Sequence, residues 1–161
     1  MDIERLAELV PEHLAALIAE SEASGLTFVR RLADEWASGF NRFDRPGEAL
    51  FAARDAADVV GIGGLNIDPY AGDVSIGRVR HLYVRSAYRR RGIGERLVTV
   101  IVDAASGRFR MLRLSTFNVD AARLYERMGF HDPDGAPRCT HAMELAARLQ
   151  RGRSDAGLTT S

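Results

Sequence analysis

The chain has 161 residues, of which 46% are hydrophobic and 27% charged, and its 22 acidic and 22 basic residues give a formal net charge of zero. This length suffices for one domain with its own hydrophobic core, and the composition is typical of a globular protein. Proteins that bind nucleic acids usually carry a basic excess for phosphate contacts, so that class is disfavoured.

All 22 basic residues are arginine, which excludes a lysine base, a Schiff-base lysine and the lysine of a Walker phosphate loop. The single cysteine, Cys139, rules out an internal disulfide and is more often a small core residue than a nucleophile. No apolar run reaches the ~18 residues of a membrane span, and Met1–Glu4 lacks the charge pattern of a secretory signal. We therefore expect a cytoplasmic protein.

The N-terminal part predicts a short strand over Ile3–Leu6 and then two helices. Pro11 suits the first turn of the first helix, Ser24-Gly25 interrupts the pattern, and Thr27 can cap the second helix. The apolar residues that recur at helical spacing are Leu14, Leu17 and Ile18 in the first helix, and Phe28, Leu32 and Trp36 in the second.

The remaining chain predicts strands around two more helices. A hairpin is expected to turn at Asp55–Asp58, and helices are expected over Ile93–Ala105 and from Asn118 to Met128. The predicted strands cover residues 49–54, 59–67, 74–84, 111–117 and 139–145. Because a strand–helix–strand unit makes its two strands parallel, we predict an α/β fold with a mixed sheet. We expect one domain over residues 1–149 and a loose polar tail over 150–161.

The most informative segment is Val79–Gly94, with the sequence VRHLYVRSAYRRRGIG, which joins a strand to a helix. Gly92 and Gly94 allow close backbone approach, and the free N–H groups of a helix's first turn favour an anion. The three arginines 89–91 add positive charge, so the segment predicts a phosphate or pyrophosphate site. A solvated basic turn is the alternative. The Walker loop lacks its lysine here, and the glycines do not match the dinucleotide fingerprint.

Two motifs give a specific resemblance. Arg89-x-x-Gly92-x-Gly94 resembles the acyl-CoA pyrophosphate loop of the GNAT superfamily, the Gcn5-related N-acetyltransferases. The segment NVDAARLYERMGF, residues 118–130, resembles the second CoA-binding segment of that family. The resemblance implies a mostly antiparallel sheet with one splayed parallel pair and about four flanking helices. It also implies acetyl-CoA as the co-substrate and no metal.

The resemblance assigns roles to residues of both motifs. The strand end Leu82-Tyr83-Val84 would bind the pantetheine arm through its backbone, and Asn118 would bind pantetheine or set the splay, besides capping its helix. The further residues implied in CoA binding are Arg89, Arg90, Arg91, Gly92, Ile93, Gly94, Ala121 and Tyr125.

Tyr125 matches the family's proton donor to the departing CoA sulfur. A phenol has a pKa of about 10 and a thiol one of about 8.5, so full proton transfer to the thiolate would be uphill by ~2 kcal/mol. We therefore expect Tyr125 to donate a hydrogen bond to the developing thiolate. Core packing is the alternative role for this side chain.

The base is where the sequence departs from the family. Many relatives have a glutamate on the strand before the loop, whereas Arg78 and Arg80 occupy the comparable positions here. His81 and His141 are candidates by pKa, although strand alternation predicts that His81 lies on the face opposite Arg80. No residue is secure as the base, and a water chain is a further route for the proton.

The two arginines also bear on the acceptor. Arg78 and Arg80 should lie on one face, and paired guanidinium groups favour a carboxylate or phosphate. We expect direct transfer to a primary amine that carries an anionic group, without a Cys139 intermediate. A CoA-responsive binding module without turnover, or an enzyme acting on a protein or aminoacyl-tRNA, are the alternatives. The sequence leaves a homodimer open.

Overall fold

Six strands form one mixed sheet in which the spatial order of the strands follows their order in the chain. The computed structural model describes residues 1–145. The strands are β1 (Asp2–Arg5), β2 (Ala49–Asp55), β3 (Asp58–Ile67), β4 (Ile76–Val84), β5 (Met111–Leu114) and β6 (His141–Glu144). Within this range β4 and β5 are the one parallel pair, and the other neighbours are antiparallel.

Within residues 1–145, four α-helices flank the sheet, which confirms the predicted mixed α/β architecture. They are α1 (Ala15–Ala23), α2 (Phe28–Ser38), α3 (Ile93–Ala105) and α4 (Val119–Arg127). Pro11 opens a single 3-10 turn, Pro11–Leu14, before α1. Thr27 precedes α2 at the predicted position, but its side chain makes no capping hydrogen bond, because its backbone is helical (φ −112°, ψ −7°) rather than extended. β5 ends at Leu114, three residues before the predicted end of that strand. The predicted tail and residues 146–149 lie outside the described residues.

The sheet separates two hydrophobic cores. On one face, called the α3 face, β-strand residues such as Leu112 and Leu114 pack with α3 and with Tyr125 of α4. On the other, called the α2 face, residues such as Leu50 and Ile62 pack with α1 and α2. Burial of apolar side chains on both faces explains why β3 is buried along most of its length.

A bulge interrupts β4. Tyr83 pairs with Ile62, and Arg80 pairs with Gly64, so three steps along β4 lie opposite two along β3. His81 lies within the bulge and has a φ of 59°. An extra residue in the left-handed region bends a strand and breaks the alternation of its side chains between faces.

The contact between β4 and β5 is short. It consists of the pairs Ile76↔Met111, Gly77↔Leu112 and Arg78↔Arg113, after which no residue of β4 pairs with β5. β4 nevertheless continues to Val84. Over residues 79–84, β4 therefore pairs with β3 on one edge and has no strand partner on the edge toward β5. We call the space beside this free edge, at the end of the strand that leads to α3, the β4–β5 gap.

Candidate active site

The loop after β4 presents backbone N–H groups at the start of α3. Arg90 and Gly92 both have left-handed backbones, with φ values of 61° and 78°, and Gly92 is the residue before the first turn of α3. No atom outside its chain neighbours lies within 4 Å of a Cβ placed on Gly92, so the space around it is open. Left-handed residues beside a helix N-terminus form a concave nest that suits an anion.

Gly94 and Asn118 fix the helices on either side of this nest. A Cβ on Gly94 would lie 3.4 Å from Leu124, which shows how closely α3 approaches α4. Asn118 accepts a hydrogen bond from the Ala121 N–H at 3.0 Å, so the predicted cap of α4 is present. The two segments singled out by the sequence are thus packed against each other.

The arginines of the loop differ in their surroundings. Arg89 donates through Nε to the Val84 carbonyl oxygen at 2.9 Å, and its guanidinium lies 5.4 Å from the Tyr83 ring centroid. Arg91 lies 5.1 Å from the centroid of Tyr88. All three arginines, 89–91, are exposed. The side chain of Arg89 thus holds the end of β4, while the positive charge of the loop remains open to solvent.

Glu20 of α1 ties this loop to the rest of the molecule. Its carboxylate accepts hydrogen bonds from the Tyr83 hydroxyl at 2.7 Å, from the Ser86 N–H at 3.0 Å and from the Ser86 hydroxyl at 2.8 Å. Burial raises the pKa of Glu20, but the hydrogen bonds from Tyr83 and Ser86 outweigh it, so the pKa lies below its usual value. Burial and the bond to Glu20 raise the pKa of Tyr83 to about 12. Sequence reasoning missed Glu20, because an exposed-looking helix glutamate carries no local motif.

Tyr125 is buried on the α3 face, with 5% of its surface exposed. Its ring packs edge-on against Phe130 at a centroid distance of 5.4 Å. Burial raises the pKa of Tyr125 well above 10, so the phenol is protonated at neutral pH. This protonation state is the one that a hydrogen-bond donor requires.

His141 lies beside Tyr125, with ring centroids 6.4 Å apart. Its Nδ1 is 2.9 Å from the Thr140 hydroxyl and its Nε2 is 3.2 Å from Glu126 Oε1. Its strand partner Leu114 packs in the core of the α3 face. The sequence analysis named His141 as a candidate base, and the structure places it beside Tyr125 on the α3 face.

Arg78 and Arg80 lie on the α2 face, and their side chains differ in how they are held. Arg78 is buried, pairs with Asp68 at 3.4 Å and donates to the Arg138 carbonyl oxygen at 2.8 Å. The nearest hydrogen-bond acceptor of Arg80 is Asn66 Oδ1 at 3.5 Å, which is a weak contact. The guanidinium of Arg78 is therefore used to hold two loops together. Most N–H donors of Arg80 have no strong hydrogen-bond partner among the described residues.

His81 also lies on the α2 face, so the prediction that it faces away from Arg80 is wrong. Its ring centroid lies 6.3 Å from that of Phe28 and 6.2 Å from that of Phe43. The β4 bulge causes the error, because the extra residue returns the chain to the face it has just left. Burial, together with the charge of Arg80, lowers the pKa of His81 to about 3. Such a weak base cannot take a proton from an ammonium group at neutral pH.

A match to a known protein family covers the part of the chain that contains this site. A family model described as an acetyltransferase (GNAT) domain matches residues 46–132, which include the nest, Asn118 and Tyr125. The chain belongs to the GNAT acetyltransferase family. Residues 1–45 and β6, which carry Glu20 and His141, lie outside the matched region.

Relatives of known sequence and structure agree with this assignment. The uncharacterized N-acetyltransferase YjgM of Escherichia coli strain K12 is 31% identical over 113 residues, which cover 68% of this chain and 66%, just under two thirds, of that protein. A putative acetyltransferase from Exiguobacterium sp. 255-15 superposes with a TM-score of 0.80 at 28% identity, covering 94% of this chain and 99% of its own. The GNAT protein YhbS from E. coli, solved in complex with CoA, has a TM-score of 0.67 at 20% identity and covers 94% of this chain and 84% of its own.

The described residues contain no second candidate active site of comparable quality. Residues 1–145 contain no cluster of three or more metal-ligating side chains. Among the same residues, no helix is long and apolar enough to span a bilayer. A groove of about 640 Å³ between β1 and α3 touches the nest at Gly92 only, and one of about 470 Å³ lies beside Trp36, so neither adjoins Tyr125.

Proposed function

We propose that this GNAT protein is an N-acetyltransferase that moves an acetyl group from acetyl-CoA to a primary amine by direct transfer in a ternary complex. The observation that carries the proposal is the break in β4–β5 pairing after Arg78, on the strand that leads straight into the nest at Gly92. A strand edge without a partner and an anion site in line with it suit a long ligand with a pyrophosphate at one end. The single unpaired cysteine favours a cytoplasmic location.

The residues present fit acetyl-CoA, which would supply an activated acetyl group as its thioester. Backbone N–H groups over residues 90–94 would bind the pyrophosphate, with Arg89, Arg90 and Arg91 adding charge. The backbone of Leu82 and Val84 would bind the pantetheine arm, and Asn118 and Ala121 at the start of α4 would border it. Gly92 leaves space for this ligand, because nothing occupies the position of its missing side chain.

Two groups of the protein would stabilise the charge that develops during transfer. A backbone N–H near Val84 would donate to the acetyl oxygen as it gains negative charge, and Tyr125 would donate to the sulfur as it leaves. The amine nitrogen would form the new bond to the acetyl carbon while the carbon–sulfur bond breaks. Of the two protons that the ammonium group gives up, one would leave to solvent before the attack and the other would reach the departing thiolate through water. Tyr125 need not lose its own proton, because its high pKa favours hydrogen-bond donation over full transfer.

The proton of the amine must leave by another route. Deprotonating an alkylammonium at pH 7 costs ~4.6 kcal/mol, so the protein has to provide an exit for that proton. His81 does not serve as this base, because its pKa is lowered to about 3. We propose a water-mediated exit.

A second candidate is a CoA-responsive binding module without turnover. The observation that favours it is the presence of arginine, in place of a carboxylate, at both Arg78 and Arg80 on β4. An acceptor that is a protein or aminoacyl-tRNA is a further variant of the enzyme. For either kind of enzyme we expect an acceptor amine with an anionic group nearby.

The experiment is a CoA-release assay with a thiol-reactive dye against amino acids, peptides, polyamines, aminoglycosides and arylamines. Release stimulated by one class supports the enzyme. In Tyr125→Phe, kcat should fall ~10–100-fold, because one transition-state hydrogen bond is lost, while the Kd for acetyl-CoA changes less than about 2-fold. Tight acetyl-CoA binding without release supports the binding module. Failure to bind acetyl-CoA would overturn both.

A further inference from the structure

Four arginines gather on the α2 face where β4 and β5 stop pairing. Arg78 and Arg113 are register partners on the two parallel strands, so their side chains lie on the same face. The neighbours of Arg113 in β5, Leu112 and Leu114, point into the core of the α3 face. Arg80 follows on β4, at the edge of the gap, and the fourth member is Arg138.

Two of these arginines are used by the fold. Arg78 forms an ion pair with Asp68, whose side chain is 1% exposed, and also bonds the Arg138 carbonyl oxygen. Their guanidinium carbons lie 4.9 Å (Arg78) and 4.8 Å (Arg138) from the centroid of the same ring, Tyr70. This stack joins the β3–β4 loop to the segment before β6 and lies along one side of the arginine cluster.

The other two arginines, Arg80 and Arg113, have N–H donors without a strong hydrogen-bond partner among the described residues. Arg80 has the weak contact of 3.5 Å to Asn66, and the carboxylate of Glu48 is already bonded to the Asn66 amide and the Ile67 N–H. The Nε atom of Arg113 is buried and has no hydrogen-bond partner among residues 1–145. Leaving a charged donor buried and unpaired is costly, so the Arg113 Nε, together with the weakly bonded Arg80 on the same face, indicates a site for an anion.

A third unsatisfied group borders Arg80. His81 is 8% exposed, and among the described residues its ring nitrogens have no partner at good hydrogen-bond geometry, although the Phe28 backbone lies close enough to act on the His81 pKa. A neutral imidazole carries one N–H donor, which can bond an anion without adding charge. Buried polar groups in native structures normally find well-aligned partners, and a ligand beside Arg80 would give His81 one.

We propose that the acetyl acceptor is a small aminocarboxylate whose carboxylate binds Arg80 and Arg113 on the α2 face, with its amine directed into the β4–β5 gap. The inference rests on the proposed acetyl transfer and names the substrate class of that site. The planar fork of a guanidinium matches the two oxygens of a carboxylate, and two such forks leave little tolerance for a neutral group. Arg113 thus takes the role that the sequence suggested for Arg78.

The test compares kcat/KM for three matched acceptors: β-alanine, β-alaninamide and propylamine. The wild type should favour β-alanine over each neutral amine by at least ~10-fold, the value of one charge-assisted contact. Arg80→Gln and Arg113→Gln should each lower kcat/KM for β-alanine ~10–100-fold and leave the neutral amines within about 3-fold. Arg30→Gln, at an exposed arginine of α2 that pairs with Glu22, is the matched control and should change neither.

Several results would overturn the inference: equal use of charged and neutral amines, an equal loss for all amines in the variants, or a preference for O-phosphoethanolamine over β-alanine. If Arg80→Gln does not fold, Arg80→Lys keeps the charge but not the fork and should retain only part of the preference. No turnover with any amine would contradict the proposed function.

In that case the carboxylate site is tested separately, by calorimetric binding of β-alanine to the acetyl-CoA-bound protein. Arg113→Gln should weaken this binding ~10-fold or more. If the wild type did not bind β-alanine, the carboxylate site would be contradicted as well.

Discussion

Arg80 and His81 are neighbours in the chain, yet both side chains lie on the same face of the sheet. Arg80 pairs with Gly64, above which Phe43 packs, and the His81 ring lies edge-on to the same Phe43. The bulge between them gathers polar groups on the α2 face beside the gap. After it, Leu82 returns to the α3 face and Tyr83 reaches Glu20 on the α2 face.

The buried His81 should make the protein less stable in mild acid. Its pKa of 6.5 in the unfolded chain falls to about 3 in the folded one. Below pH 6.5 the unfolded state therefore binds a proton that the folded state does not, and stability is lost as the pH falls toward 3. The loss approaches ~1.4 kcal/mol per pH unit. Urea unfolding at pH 7 and pH 5 should show this slope, and His81→Asn, which tolerates a left-handed backbone, should reduce it.

His131 provides a control of opposite sign. The Asp132 carbonyl oxygen and the Glu144 carboxylate, both hydrogen-bonded to its ring, raise the pKa of His131 above 6.5. Its contribution to stability is therefore present below pH 6.5 and is lost as the pH rises through the raised pKa. His131→Asn should make the pH 5 to pH 7 difference larger, whereas His81→Asn makes it smaller. A larger difference in both variants would contradict the His81 assignment, and a smaller difference in both would contradict the His131 assignment.

Arg90 stores backbone strain in the nest. A non-glycine residue at a φ of 61° costs roughly 1–2 kcal/mol, and glycine would relieve most of this. We expect Arg90→Gly to be more stable than Arg90→Ala by roughly 1 kcal/mol in chemical denaturation, after the greater flexibility of unfolded glycine is included. Both variants remove the same charge, so their acetyl-CoA affinities should fall alike. A less stable glycine variant would mean that the backbone is relaxed at this position.

Glu20 should matter for cofactor binding although it lies on α1, outside the loop. Glu20→Ala removes the acceptor for Tyr83 and Ser86, so the segment between β4 and α3 loses its tie to the helix. The Kd for acetyl-CoA should rise ~3–10-fold, as expected for the loss of one or two hydrogen bonds that organise a site. Glu22→Ala is the matched control, because Glu22 bonds only the exposed Arg30 among the described residues. An unchanged Kd in Glu20→Ala would mean that the loop keeps its shape without this tie.

Two glycines should respond differently to alanine. A Cβ on Gly64 would lie 2.6 Å from Phe43, whereas one on Gly94 would lie at an ordinary 3.4 Å from Leu124. Gly64→Ala should therefore lower the free energy of unfolding by ~1–3 kcal/mol through overpacking. Gly94→Ala should be neutral or stabilising by up to ~1 kcal/mol, since alanine favours a helix. Denaturant titration separates the two, and equal costs would contradict the packing described here.

The sequence predicted most of the fold because its signals are local. Two apolar runs around the turn at Asp55–Asp58 predict the hairpin, Asn118 marks the start of α4, and the run before Gly94 indicates an anion site at a helix start. β5 is shorter than predicted, because the alternation of Leu112 and Leu114 with Arg113 and Ser115 indicated a strand, whereas residues 115–117 do not pair with a neighbouring strand. Periodicity reports which residues suit a strand, but pairing depends on what lies alongside.

The acceptor side of the candidate site was predicted less well, because it depends on contacts between segments that are distant in the sequence. The bulge at His81 arises from the register between β3 and β4, which no single strand encodes. The burial of Arg78 by Asp68 and Tyr70 depends on a loop contact across the sheet. From the sequence, the alternation of Arg113 with Leu112 and Leu114 showed only that its side chain faces away from theirs. The sequence did not show that Arg113 is the register partner of Arg78 on the neighbouring strand.

The short pairing between β4 and β5 has a consequence for how the purified protein should be stored. An unpaired strand edge is a template on which another chain can add, and native proteins usually cover or shorten such edges. Here the edge from residue 79 to 84 lies inside the sheet, and a bound CoA thioester would cover it. The ligand-free chain should then be the form that aggregates on storage. Its shelf life and melting temperature should follow the concentration of added CoA, as mass action requires of a ligand that binds only the folded state.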